Sequence, residues 1–65
     1  MFSEKMLAEM PVSFSPPAIA NLLGVSKSYI YKLISMGELP HYEVGARKIV
    51  LRDDFLQWFY SKKRG

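Results

Sequence analysis

The sequence predicts a mainly α domain with a small β-hairpin, built as three short helices plus a two-stranded hairpin. Three observations lead there. Two short stretches of helical periodicity, each opened by a serine, are separated only by Gly24 and Val25. The apolar spacing changes after Gly37, where two β-type runs flank a glycine-containing link. Paired aspartates then precede an aromatic run that ends in a cluster of cations, the charge order that a helix dipole favours.

Length and composition fit one domain. The 65 residues are 49% hydrophobic and 14% aromatic, too apolar for a disordered chain. A chain of this size buries about 60% of the surface that its unfolded form exposes, so it holds one thin core and no large substrate cavity. The absence of cysteine removes any disulfide framework or thiolate metal site and suits a reducing cytosol. No apolar run approaches the roughly 20 residues of a membrane span. Glu4, Lys5 and Glu9 interrupt the opening residues, so neither a membrane segment nor an export signal is expected, and the expected location is cytoplasmic.

Residues 1–12 read as an N-terminal arm, or one frayed turn of helix stopped by Pro11. The run Ser15-Pro16-Pro17-Ala18-Ile19-Ala20-Asn21-Leu22-Leu23-Gly24 then spells a helix of barely two turns. Serine caps it, proline is tolerated in its first turn, and glycine takes the left-handed conformation past its last. Ile19, Leu22 and Leu23 share its apolar face, and Ala20 is small enough to let another helix approach closely.

Ser26 caps the second helix, which runs through Met36 and stops at Gly37. At about 100° per residue, Ile30, Leu33 and Ile34 converge on a core face. Lys27, Ser28, Tyr31, Lys32 and Ser35 gather opposite them, and Tyr29 falls between. Leu39 to Glu43 and Lys48 to Leu51 are the two strands, linked by Val44-Gly45-Ala46-Arg47, with Arg47 and Lys48 at or beside the tip. Asp53 and Asp54 open the third helix, Phe55, Trp58 and Phe59 form its core side, and Lys62, Lys63 and Arg64 close it. The domain proper is expected over residues 13–62, with a basic tail at 63–65.

Charge narrows the function. The formal net charge is +3, residues 11–26 carry no charged side chain, and eight of the nine basic residues lie from Lys27 onward. Catalysis and metal binding are not expected. His41 is the only histidine, with no cysteine and only Glu43 nearby, and Asp53 and Asp54 are explained by the helix start. No glycine-rich phosphate loop is present and no cofactor is expected.

Duplex DNA fits better. A short exposed helix bearing cations and donors, braced by a second helix, matches the major groove. Lys27 and Lys32 reach phosphates or guanine edges, Ser28 and Ser35 can donate to either, the Tyr31 ring can lie against sugars or a thymine methyl, and Ser26 and Tyr29 are counted with them as candidate DNA-binding residues of this helix. Gly45, Ala46, Arg47 and Lys48 form a basic tip suited to the adjacent minor groove or its phosphates, with a solvated hairpin tip as the alternative.

The run LLGVSKSYIYKLISMGELPHYEVG, followed by DDFLQWF, resembles the excisionase-type DNA-binding domains, small winged helix-turn-helix modules related to the MerR regulators. The likeness covers roughly Phe14 to Tyr60. Its marks are Leu22-Leu23-Gly24-Val25-Ser26, Gly37-Glu38-Leu39-Pro40, Val44-Gly45 before Arg47, and Asp54-Phe55 with Trp58. The resemblance implies a recognition helix in the major groove and a hairpin wing beside it. It also implies one of two tasks: bending attachment-site DNA so that an integrase excises a mobile element, or regulating transcription. Two departures stand out. Pro17-Ala18 replace an acidic residue often found early in the first helix, and Ile49-Val50-Leu51 is continuously apolar. Leu56 and Tyr60 add apolar surface, for closing the core or for contacting a second copy or an integrase. A protein-interaction adaptor on the same fold stays open as a further reading.

Overall fold

The computed structural model describes residues 2–64. Met1 of the expected arm and Gly65 of the expected tail lie outside the described residues. In chain order the elements are α1 (Glu4–Glu9), β1 (Ser13–Phe14), α2 (Pro16–Leu23), α3 (Lys27–Ser35), β2 (Tyr42–Val44), β3 (Arg47–Leu51) and α4 (Arg52–Tyr60).

Each helix start follows from its capping chemistry. Ser15 Oγ accepts the Ala18 N–H at 3.4 Å, and Pro16 and Pro17 fill the first two helical positions, where no intrahelical donor is missed. Gly24 ends α2 at φ 71, and the Val25 N–H reaches back to the Ala20 carbonyl at 3.0 Å. α3 ends in the same way around Gly37, at φ 73. The Gly37 and Glu38 N–H groups bond the Ile34 and Leu33 carbonyls, both at 3.0 Å, the paired bonds of a Schellman motif. These two left-handed glycines make the corners that bring α2 against α3 and then send the chain into the hairpin.

The sheet is antiparallel in the order β1-β3-β2. Val50 in the central strand faces the core opposite Phe14, while its neighbours Ile49 and Leu51 point to the other face and are half-buried. Ile19, Ala20, Ile30, Leu33, Ile34, Leu39, Val50 and Phe55 complete the core with Phe14. Leu22, Leu23, Leu56, Trp58 and Phe59 pack around it half-buried. Leu56 thus closes the core, whereas Tyr60 stays exposed.

Four features depart from the sequence expectation. First, the described residues form four helices rather than three. Ser3 accepts the Met6 N–H at 3.1 Å and caps a six-residue α1 where only a frayed turn was expected. Phe2 anchors it, its ring centroid 4.9 Å from that of Phe59 and 6.3 Å from that of Phe55. Second, the sheet has three strands rather than two, because Ser13 and Phe14 pair with Leu51 and Val50. The Arg52 N–H extends that ladder to the Val12 carbonyl at 2.8 Å.

Third, β2 begins at Tyr42 rather than Leu39. The Leu39 N–H is committed to the α3 carbonyl of Leu33 at 3.3 Å, and Pro40 has no N–H to offer a ladder. Fourth, α4 stops at Tyr60, so Lys62, Lys63 and Arg64 lie beyond its last turn instead of inside it. Lys62 forms an ion pair with Glu38 and sits 5.7 Å from the Trp58 ring centroid, tying the chain end to the corner after α3. With α2 and α3 as the paired helices and β2–β3 as the hairpin, the architecture is a winged helix-turn-helix.

Candidate nucleic-acid interface

The polar face of α3 is built by one cap and one core stripe. Ser26 Oγ accepts the Tyr29 N–H at 3.1 Å, which starts the helix at Lys27. Ile30, Leu33 and Ile34 are buried against the rest of the fold. Helical spacing then turns Lys27, Ser28, Tyr31, Lys32 and Ser35 outward, and all five are exposed. Tyr29, which the sequence leaves between the two faces, is exposed as well.

The three serines are not equivalent. Ser26 holds the helix start. The Ser35 hydroxyl donates to the Lys32 carbonyl at 2.9 Å and keeps only acceptor capacity. Ser28 Oγ has no side-chain hydrogen bond among the described residues, so it is the hydroxyl with a donor to spare.

The first turn of α3 contains no acidic residue and begins with Lys27. Acidic side chains usually stabilise that position, so the sequence forgoes a modest stabilisation and leaves the positive helix end uncompensated. That choice suits an anion in front of the helix. Lys27, Lys32 and Arg47 also make no ion pair among the described residues, whereas Lys48, Arg52 and Lys62 are each paired with a carboxylate.

The hairpin turn is two residues long. Val44 pairs with Arg47, and Gly45 takes φ 62 while Ala46 does not adopt a positive φ. A positive φ at the first central position alone is the sign pattern of a type II′ turn, whose twist matches the flanking strands. Arg47 therefore leaves the tip as the first residue of β3 and is exposed.

Lys48 is placed differently. It faces Glu43 across the ladder, with Nζ 2.8 Å from Oε1, and is half-buried. The Lys48 hydrogen bond, then its charge, hold the Glu43 carboxyl below the usual glutamate range, with a smaller contribution from His41. His41 Nε2 lies 3.7 Å from the same Oε1, and its Nδ1 lies 3.3 Å from the Leu39 carbonyl. Of the two wing cations, only Arg47 is free of a carboxylate among the described residues.

Helix and wing meet. Tyr31, Ala46, Arg47 and Lys48 line one shallow cleft with Ser15, Pro16 and Pro17 at the start of α2. Sequence reasoning placed Tyr31 and Arg47 on separate elements and missed Ser15 and Pro17 beside them. The link is the Phe14–Val50 pairing, which pulls the α2 start toward the wing. Glu43 was missed as a functional neighbour, although its place opposite Lys48 follows from the turn.

Among the described residues no group of three or more His, Cys, Asp or Glu side chains is placed to hold a metal ion, and no helix is long and apolar enough to cross a membrane. No curated protein and no solved structure gives a significant match to the chain. A family model described as a helix-turn-helix domain matches residues 13–63, from β1 to just past α4, so it takes in the α2–α3 pair and the wing together. The protein belongs to this helix-turn-helix domain family, whose members bind DNA sequence-specifically.

Proposed function

We propose that the protein sets α3 into the major groove of a short duplex site and lays the β2–β3 wing along the adjacent minor groove or backbone. In this reading Lys27 and Lys32 neutralise phosphates or meet guanine edges, Ser28 donates to a phosphate or base acceptor, and Tyr31 lies against sugar. Ser26 acts by fixing the helix start, and Ser35 by accepting. Gly45 and Ala46 make the wing tip narrow, and Arg47 enters the negative minor groove beside it. The observation that carries the reading is the cleft in which Tyr31 of α3 meets Arg47 of the wing, with Lys27 and Lys32 exposed on the same helix and, like Arg47, without an ion-pair partner among the described residues.

The resemblance of the α2–α3 run and the wing to excisionase-type domains supports a specific task. The protein acts as an excisionase, or recombination directionality factor, of a bacterial mobile element. It binds attachment-site DNA in the cytoplasm, bends it, and assists an integrase, with adjacent copies meeting on the DNA. No catalytic step and no cofactor is assigned to it.

The test is excision in vitro with an integrase and plasmids carrying its attachment sites, taken from the mobile element if an integrase gene adjoins this one, together with bend mapping on permuted fragments. Protein-dependent excision with a bent complex is the expected result. Binding confined to a promoter, with no effect on excision, would make the protein a transcriptional regulator instead. Loss of all DNA dependence would move it to the adaptor class.

A further inference from the structure

The wing fixes which flank of α3 is which. Tyr31 lines the cleft with Arg47, so its side of the helix is the wing side. Tyr29 lies two residues away, about 160° round the helix, and so occupies the opposite flank. Lys32 and Met36 follow it at i+3 and i+7 along that flank. Tyr29 is 48% exposed and Met36 62%.

Met36 is not a frayed end. Its N–H bonds the Lys32 carbonyl at 3.0 Å, and the Gly37 and Glu38 bonds that follow lock the turn around it. The helix backbone thus holds two exposed apolar residues in fixed places, with an ammonium between them that has no ion-pair partner among the described residues.

We propose that Tyr29 and Met36 are specificity-determining residues that read thymine methyl groups in the major groove, on the part of the site farther from the wing. The inference rests on the DNA-binding reading of α3 given above. An apolar protein surface laid over Tyr29 and Met36 would strip water from Lys32 without offering it a partner. A major-groove edge meets both demands, because thymine methyls lie beside phosphates and acceptor atoms on the same surface. The flexible, polarisable thioether of Met36 suits a methyl contact whose position varies with local DNA shape.

The experiment begins by selecting the preferred duplex from a random library with the full chain. Each thymine is then replaced by uracil, which removes only the C5 methyl, and affinity is measured by fluorescence anisotropy for wild type, Tyr29→Ala and Met36→Ala. For wild type, one or two replacements on the side away from the wing should weaken binding about fourfold, the size expected for exposing one buried methyl. The same replacement should change binding less than twofold in the matching variant. Both side chains are exposed, and circular dichroism checks that the helices persist.

Equal uracil effects in wild type and both variants, or a selected site without thymine on that side, would overturn the inference while leaving the DNA-binding reading intact. Absence of duplex binding by wild type would overturn both. Weaker binding in the variants accompanied by loss of self-association, with no uracil effect, would assign the flank to a second copy and also overturn the proposal.

Discussion

Lys48 Nζ lies 2.8 Å from Glu43 Oε1 across the wing, so the protein carries a carboxylate against one of its two wing cations. A surface pair of this kind contributes little to stability. Its effect on an anionic ligand is larger, because it removes one positive charge from the edge of the interface. Glu43→Gln should therefore raise DNA affinity severalfold at low salt and steepen the dependence of log affinity on log salt by about one unit. Lys48→Met in the wild-type background should lower affinity much less than Arg47→Met does. A titration of the three variants over a salt series checks the order.

The same pair gives a sign to pH dependence. The carboxyl of Glu43 is held below its ordinary value by Lys48, so folding favours its ionised form. The pair's contribution is complete above the unfolded glutamate pKa of about 4.3 and disappears as pH falls through the lower folded value. Thermal melts of wild type and Glu43→Gln should differ slightly at pH 7, and the difference should shrink as pH falls below the unfolded glutamate range.

Ser26 separates structural support from contact. Ser26→Ala removes the cap bond to the Tyr29 N–H and should cost about 1 kcal/mol, lowering Tm by roughly 4–8 °C in a domain this small. Ser26→Asp keeps a capping oxygen and places an anion at the positive helix end, so stability should hold or rise. DNA affinity should nevertheless fall in the Asp variant, because the new charge faces phosphate. Paired melting and binding curves on both variants read the two effects apart.

The N-terminal helix depends on an aromatic anchor. No residue of α1 itself is buried, and Phe2 is its tie to the rings of Phe55 and Phe59. Phe2→Ala should cost about 1–2 kcal/mol through lost apolar burial and ring contact. Phe55, fully buried at the centre of the aromatic cluster, should cost about 3–5 kcal/mol on truncation to alanine, enough to unfold much of a domain this small. Urea denaturation distinguishes the two: a shifted midpoint for Phe2→Ala and loss of the cooperative transition for Phe55→Ala.

What the sequence reveals follows from how local each signal is. α2 and α3 are legible because Ser15, Gly24, Ser26 and Gly37 mark their ends by short-range bonds to neighbours within a few residues. β1 is not, because two residues carry no alternation and its pairing with Val50 and Leu51 joins segments far apart in sequence. α1 hides for another reason. Ser3 is an ordinary cap, but the helix lacks a buried stripe of its own, so periodicity does not reinforce the cap.

The interface shows the same division. That Lys27, Ser28, Tyr31 and Lys32 share an exposed face is helical arithmetic. That Glu43 occupies Lys48 requires the register of a two-residue turn, and that Tyr31 adjoins Arg47 requires the whole fold.

The central claim is that the polar face of α3 is the DNA surface. It is tested most directly by anisotropy of a duplex titrated over a salt series, with wild type beside Lys27→Ala/Lys32→Ala. Neutralising four or five phosphates predicts a log–log slope of roughly −4 for wild type, and losing two of these cations should make it shallower by nearly 2. Identical slopes and affinities for the two proteins, with the helical circular dichroism of both intact, would contradict the assignment of α3 to the groove.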